Sequence, residues 1–258
     1  MDMGLRGKAA IVGGASQGIG YAIARLLALE GANVAIVARR DERLREAAAR
    51  IAEESRTTIV PIAADIRRAE DCERIVATAH AELGRVDVLV NNDGAPPLGA
   101  LADFDDAAWD KAVQQNLMSV VRLTRHAIPH MRAAGGGRIV NITALSVLQP
   151  MPRLGLSVAT WAAVLGYAKT LSLEVAAEGI TVNTICPGRI ATPRLVRAAA
   201  ANPEDAKMME ETAKLIPMQR IGKPDEIAGL VTFLASPFAA YITGSVFHVD
   251  GGRAASLI

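Results

Sequence analysis

The run Gly13-Gly14-Ala15-Ser16-Gln17-Gly18-Ile19-Gly20 carries the first sign of chemistry in this 258-residue chain. Glycines at 14, 18 and 20 let backbone amides approach a pyrophosphate, and a helix that starts inside the run aims its positive end at the anion. The run sits between an apolar strand and a helical pattern, the context a dinucleotide site requires. Two arginines give the second sign. At the end of the next strand an acidic residue would accept hydrogen bonds from a ribose 2′-hydroxyl and favour NAD. Here Ala38 is followed by Arg39 and Arg40, and a guanidinium pairs bidentately with a 2′-phosphate. NADP(H) is therefore preferred over NAD, with Arg39 the leading contact. The alternative is that both arginines are solvated loop charges beside Asp41 and Glu42.

Alternating elements must hold these residues in place. Apolar runs rich in Val and Ile recur at Ala9–Val12, Asn33–Val37, Thr58–Ile62, Val86–Val90, Arg138–Ile142, Thr181–Ile185 and Ser245–Val249. Strands apolar on both faces belong to a parallel sheet covered by helices on both sides. Helical patterns lie between them over Gly18–Glu30, Asp41–Glu54, Glu70–Leu83, Asp106–Met131, Ser157–Ala177 and Pro224–Ser236. The expectation is one α/β domain over residues 1–258, a doubly wound, seven-stranded parallel sheet of the Rossmann type. The segment at about 194–215 breaks the alternation and is expected to form a small helical, mobile flap over the ligand cleft.

Composition narrows the function classes. With 51% hydrophobic residues the chain can bury a large core, and with 28 basic against 27 acidic residues it has no surplus to attract nucleic acid or an anionic membrane. Cys72 and Cys186 form no CxxC pair and read as buried apolar residues in a reducing compartment. Neither a secretory leader nor a membrane span is visible, so a cytoplasmic protein with a small-molecule substrate is expected. His126 and His130 are spaced i,i+4, but Pro129 lies between them and no further ligand pattern follows, so no metal is expected.

Further motifs give the chain a resemblance to the short-chain dehydrogenase/reductase family, closest to its ketoacyl-reductase-like members. Gly14, Gly18 and Gly20 match the family's GxxxGxG. Asp65-Ile66 looks like the pair that contacts adenine, and Asn91-Asn92-Asp93-Gly94 resembles NNAG. Asn116 falls at the family's structural and proton-relay asparagine. Pro187-Gly188-Arg189-Ile190-Ala191-Thr192 resembles the PGxIxT segment that holds the nicotinamide carboxamide and phosphates, and Asp250-Gly251-Gly252 resembles the terminal VDGG. The resemblance covers essentially the whole chain. It implies an oxidoreductase that associates as a homo-dimer or homo-tetramer through its two long helices, with a hetero-oligomer also open.

It also implies three residues that are not here. The family carries a serine after the fifth strand, a tyrosine thirteen residues on and a lysine four beyond. Those positions are Ala144, Ser157 and Trp161, and no YxxxK occurs in the chain. A lysine ammonium lowers the pKa of a tyrosine from near ~10 and makes it a usable proton shuttle. Neither an indole nor a serine hydroxyl does this. Asn116, Ser157 and Ser146 remain as candidate catalytic groups, with Arg153 a weaker one. Ser146 can instead bond its own backbone, and Ser157 can cap a helix. Asp93, where the family has alanine, can bond a ribose hydroxyl, repel phosphate, act as a base, or face solvent. Three readings stay open: an NADP(H)-dependent oxidoreductase with non-standard proton delivery, a catalytically silent NADP(H)-binding protein or partner subunit, and a cofactor-free enzyme built around Asp93.

Overall fold

Seven short strands lie side by side in the order β3-β2-β1-β4-β5-β6-β7, every neighbouring pair parallel. They are β1 (Ala9–Val12), β2 (Asn33–Ala38), β3 (Ile59–Ala63), β4 (Val88–Asn91), β5 (Gly137–Ile142), β6 (Ile180–Pro187) and β7 (Val246–Val249). This computed structural model describes residues 2–255, apart from the side chains of Arg194, Ala198, Ala199, Pro203 and Asp205. The helices are α1 (Gly18–Leu29), α2 (Asp41–Ser55), α3 (Ala69–Leu83), α4 (Asp106–Val113), α5 (Ser119–Ala133), α6 (Gly155–Val175), α7 (Pro193–Ala201), α8 (Pro203–Lys214) and α9 (Pro224–Ala235).

Alternation along each strand divides the core in two. Val12, Val34, Ile36, Val88 and Val140 face α1, α2 and α9, where they meet Ile23, Leu27, Leu44 and Val231. Ile11, Ala35, Val37, Leu89 and Ile139 face α3, α5 and α6, where they meet Ile75, Leu123, Met131 and Leu171. The central strands β1, β4, β5 and β6 are buried on both faces and need no polar alternation, which is why their apolar runs were readable. Cys72 and Cys186 are buried and unpaired, and burial pushes the Cys72 thiol up to about 11. Among the described residues no helix is long and apolar enough to cross a membrane.

Two helical expectations change. The helix expected over Asp106–Met131 is interrupted by a π-helical turn at Gln114–Met118, which lies between α4 and α5. Such turns widen the helix locally and often mark functional sites. Helix α6 begins at Gly155 with Leu154 at its cap position, so Ser157 is inside the first turn rather than at the N-cap. The segment at 194–215 holds the helix pair α7 and α8.

The sheet's amino edge is held by one carboxylate. Asp87 is 5% exposed and accepts hydrogen bonds from the Ala9 N–H at 2.9 Å, Lys8 Nζ at 3.1 Å and Arg85 Nε at 2.6 Å. Burial alone would raise its pKa, but the Arg85, Ala9 and Lys8 donors outweigh that and hold it below the usual carboxylate value. A depressed native pKa gives stability that is present above about pH 4 and is lost as the pH falls below the unfolded value. Asp87→Ala is expected to cost about 2–3 kcal/mol at pH 7, mostly from the orphaned Ala9 N–H, because the half-exposed Lys8 and Arg85 are screened by water. Urea unfolding checks this, and the gap between the two proteins should narrow in acid.

Candidate active-site cleft

Strand order reverses between β1 and β4, and ligands of open α/β sheets bind beyond the carboxyl ends of the strands at such a point. Here those ends open into a cleft of about 1290 Å³, larger than the roughly 300–1,000 Å³ of ordinary small-molecule sites. The glycine-rich turn forms its floor. Gly13 N–H donates to Val90 O at 3.0 Å and Ala15 N–H to Val37 O at 3.1 Å, which pins the turn to β4 and β2. Asn92 Nδ2 donates to Gly13 O at 3.0 Å. Gly14 has φ +59, and a Cβ there would lie 2.7 Å from Asn92 Nδ2. Only glycine suits both the turn and this close approach. The first turn of α1 carries no acidic residue, so its free N–H groups face the cleft with their positive dipole uncompensated.

One end of the cleft is cationic. Arg39 and Arg40 line it, and Arg43, Arg67 and Arg197 join them. Gln17 Oε1 accepts from Arg43 at 3.1 Å and from Arg197 at 3.0 Å, so a residue of α7 reaches across to the glycine-rich turn. Asp65 accepts from Arg67 Nε at 2.8 Å. That bond holds the Asp65 carboxyl below its usual range. Arg43 lies in the first turn of α2, three residues beyond Arg40, and that nearness would have flagged it. Arg197 gave no sequence signal, because only the fold brings α7 to the turn.

The opposite end is built from β4, β5, β6 and α6. Ile142, Thr143, Ala144, Trp161, Asp93, Gly94, Gln115, Pro187, Gly188, Ile190 and Thr192 line it. The expected residues Ser16, Gly18, Ile19, Gly20, Asp65 and Ile66 also line the cleft. Asn91 does not. It is buried and donates to Asn141 Oδ1 at 2.8 Å, and its neighbour Asn92 lines the cleft instead. Side chains alternate along β4, so only one of the two asparagines can turn toward the ligand space. The terminal Asp250 folds back on its own turn, accepting from Gly252 N–H at 2.9 Å and Ala254 N–H at 2.7 Å, and packs against Gly188.

The three candidate catalytic groups lie elsewhere. Asn116 is fully buried in the π-helical turn and donates to Thr160 Oγ1 at 2.8 Å. Ser157 is 1% exposed, and Ser146 is buried with its hydroxyl unpartnered. None of the three lines the cleft, and among the described residues no tyrosine or lysine does. Arg153 is exposed, with φ +68.

Asp93 is the carboxylate at this end. It lines the cleft, while its Oδ2 is shut off from solvent and has no hydrogen-bond partner. Burial drives its pKa well above the ordinary value, opposed by its own backbone N–H and by the Trp161 indole N–H. Ile66, Asn92, Asp93, Ile142, Thr143 and Trp161 line both the cleft and a small adjoining pocket of about 10 Å³, which Asn91, Asn116, Ser119 and Asn141 also wall. His130 stacks on His80 with ring centroids 4.1 Å apart. Among the described residues no three His, Cys, Asp or Glu side chains converge as metal ligands.

This doubly wound sheet with its glycine-rich turn defines a dinucleotide-fold protein, and comparison gives its family. A family model described as enoyl-(acyl carrier protein) reductase matches residues 14–254. Dehydrogenase/reductase SDR family member 4 of Bos taurus is 37% identical over 256 residues, 98% of this chain and 89% of the relative. Nodulation protein G of a Rhizobium species is 37% identical over 250 residues, 97% and 98% of the two chains. The structure of L-sorbose reductase from Gluconobacter frateurii, complexed with NADPH and L-sorbose, superposes with a TM-score of 0.96 at 35% identity, covering 100% of both chains. The chain belongs to the short-chain dehydrogenase/reductase family of oxidoreductases.

Proposed function

We propose that this protein is an NADP(H)-dependent oxidoreductase of small molecules whose proton delivery does not use a tyrosine–lysine pair. The observation that carries the cofactor assignment is the arginine cluster beyond β2, with Ala38 where an NAD-binding acid would stand. The cradle fits a dinucleotide, because a Cβ at Gly14 would meet Asn92 and fill the space beside the turn. Gly14, Gly18 and Gly20 would take the pyrophosphate, and Arg39, Arg40 and Arg43 the 2′-phosphate. Asp65 and Ile66 would flank the adenine. Asp93, Gly94, Pro187, Gly188, Ile190 and Thr192 would surround the nicotinamide half. When bound, NADPH supplies hydride; the chain's own part is to orient the substrate and exclude water.

L-sorbose reductase, with NADPH in its structure, supports the same cofactor here. Ala144 and Trp161 at the lining of the cleft, and Ser157 buried behind it, support non-standard proton delivery. The same three residues favour a second reading, a catalytically silent NADP(H)-binding subunit. We also read the protein as a cytoplasmic homo-oligomer. The support for the oligomer is the exposed outer face of α6, where Ala159, Ala163, Gly166, Thr170 and Leu173 form a stripe flanked by Lys169 and Glu174, a surface suited to close helix packing. The α7–α8 pair serves as the flap of the cleft.

Titration with NADPH and NADH tests the cofactor assignment. NADPH is expected to bind about tenfold or more tightly, the value of one charge-assisted phosphate contact. Arg39→Ser is expected to remove most of that difference while leaving NADH binding in place. Tighter binding of NADH by the wild-type protein would refute the assignment.

A further inference from the structure

Ketone reduction builds negative charge on oxygen, and a site for it needs a positioned donor at that oxygen. The inner end of this cleft offers no tyrosine or lysine among the described residues. It offers a carboxyl, Asp93, and the indole of Trp161, both lining the same wall. Asp93 Oδ2 is buried and unpartnered. Among the described residues no lysine, arginine or histidine forms an ion pair with it. The lining arginines of known pairing, Arg43, Arg67 and Arg197, are engaged with Gln17 and Asp65. A cleft-lining acid without a counter-ion complements a cation that also donates a hydrogen bond.

We propose that the substrate pair of this cleft is an imine and its amine, held in the protonated iminium form by Asp93. The inference rests on the NADP(H) reading above and deepens it by naming the substrate class. Two departures of the chain then serve one reaction. A lysine at 161 would repel an iminium, and the uncharged Trp161 does not; an alanine at 93 would leave the cation unpaired, and Asp93 pairs with it.

The step balances. Asp93, whose pKa burial raises well above the ordinary carboxylate value, gives its proton to the imine nitrogen, and the nitrogen lone pair forms the N–H bond. The iminium carbon accepts hydride from a dihydronicotinamide, the C=N π pair becomes the nitrogen lone pair, and the dihydronicotinamide is oxidised. The neutral amine leaves, and water returns a proton to the Asp93 carboxylate. No oxyanion forms, so no phenol is required.

The test compares 1-methyl-3,4-dihydroisoquinoline, an imine whose protonated form carries an N–H, with 1-tetralone, a neutral ketone of similar size, by NADPH oxidation. In parallel, calorimetry with NADP⁺ present compares the binding of protonated 2-methyl-tetrahydroisoquinoline with that of 1-tetralone. In both, the cation is expected to be preferred by about tenfold or more, the factor of one charge-assisted hydrogen bond. Asp93→Asn, nearly the same shape, is expected to bring the preference close to unity. Equal or better use of the ketone by wild-type protein that binds NADPH overturns this inference alone. So does a preference that survives Asp93→Asn. Absence of NADPH binding overturns both this inference and the reading beneath it.

Discussion

Gly14→Val is expected to abolish measurable NADPH binding while leaving the sheet intact. Gly14 has φ +59, where a β-branched residue is strained, and its Cβ would come within 2.7 Å of Asn92 Nδ2 and 2.8 Å of Asn92 O. Asn92 cannot yield easily, because it donates to Gly13 O at 3.0 Å and its backbone follows directly from β4. The turn must therefore move, and its amides leave the positions that face the cleft. Each charge-assisted hydrogen bond to phosphate contributes about 1.5–3 kcal/mol, so losing two weakens binding about 100-fold or more. Calorimetric titration measures the affinity, and far-UV circular dichroism checks that the fold persists. A folded Gly14→Val protein with wild-type affinity would show that the turn does not hold the cofactor. Gly18→Ala makes a graded comparison. Its φ is +66, but the nearest atom to a Cβ is 3.5 Å away, so only backbone strain opposes it and a smaller loss is expected.

That contrast shows which parts of this molecule were legible in its sequence. The strands were, because burial on both faces of a parallel sheet leaves Val and Ile runs that nothing else in the chain imitates. The phosphate end of the cleft was legible too, because glycines and arginines act through local geometry. Gly14, Gly18, Gly20, Arg39 and Arg40 all line the cleft. Two kinds of feature were not legible. The π-helical turn at Gln114–Met118 depends on Asn116 reaching Thr160 on α6, a tertiary bond to which helical periodicity is blind. Arg197 meets Gln17 across 180 residues of chain. Side-chain direction was misjudged for the same reason. Ser146 and Ser157 have hydroxyls at suggestive places in the sequence, yet both are buried away from the cleft.

The Asp93–Trp161 contact also decides how the family's usual residues must be restored. Ala144→Ser, Ser157→Tyr and Trp161→Lys together recreate the serine, tyrosine and lysine that the family uses. With Asp93 retained, the new ammonium would stand against a carboxyl that faces residue 161. That carboxyl would ionise and pair with the lysine, and a paired ammonium lowers the pKa of a tyrosine less than a free one. Residues in contact are not additive, so the triple substitution alone is expected to give a small gain. Adding Asp93→Ala frees the lysine. The quadruple variant is expected to raise kcat/KM for a neutral ketone by about 10²-fold or more over the wild-type protein, the usual value of a positioned acid. NADPH oxidation with 1-tetralone, or with a small ketose, measures it. Its pH profile should acquire a descending limb as the tyrosine loses its proton, which the wild-type profile should lack. A quadruple variant that binds NADPH yet reduces ketones no faster than wild type would mean that the cleft around Ala144 and Trp161 no longer places a carbonyl for hydride transfer. The loss would then reach beyond the proton donor to the shape of the substrate site.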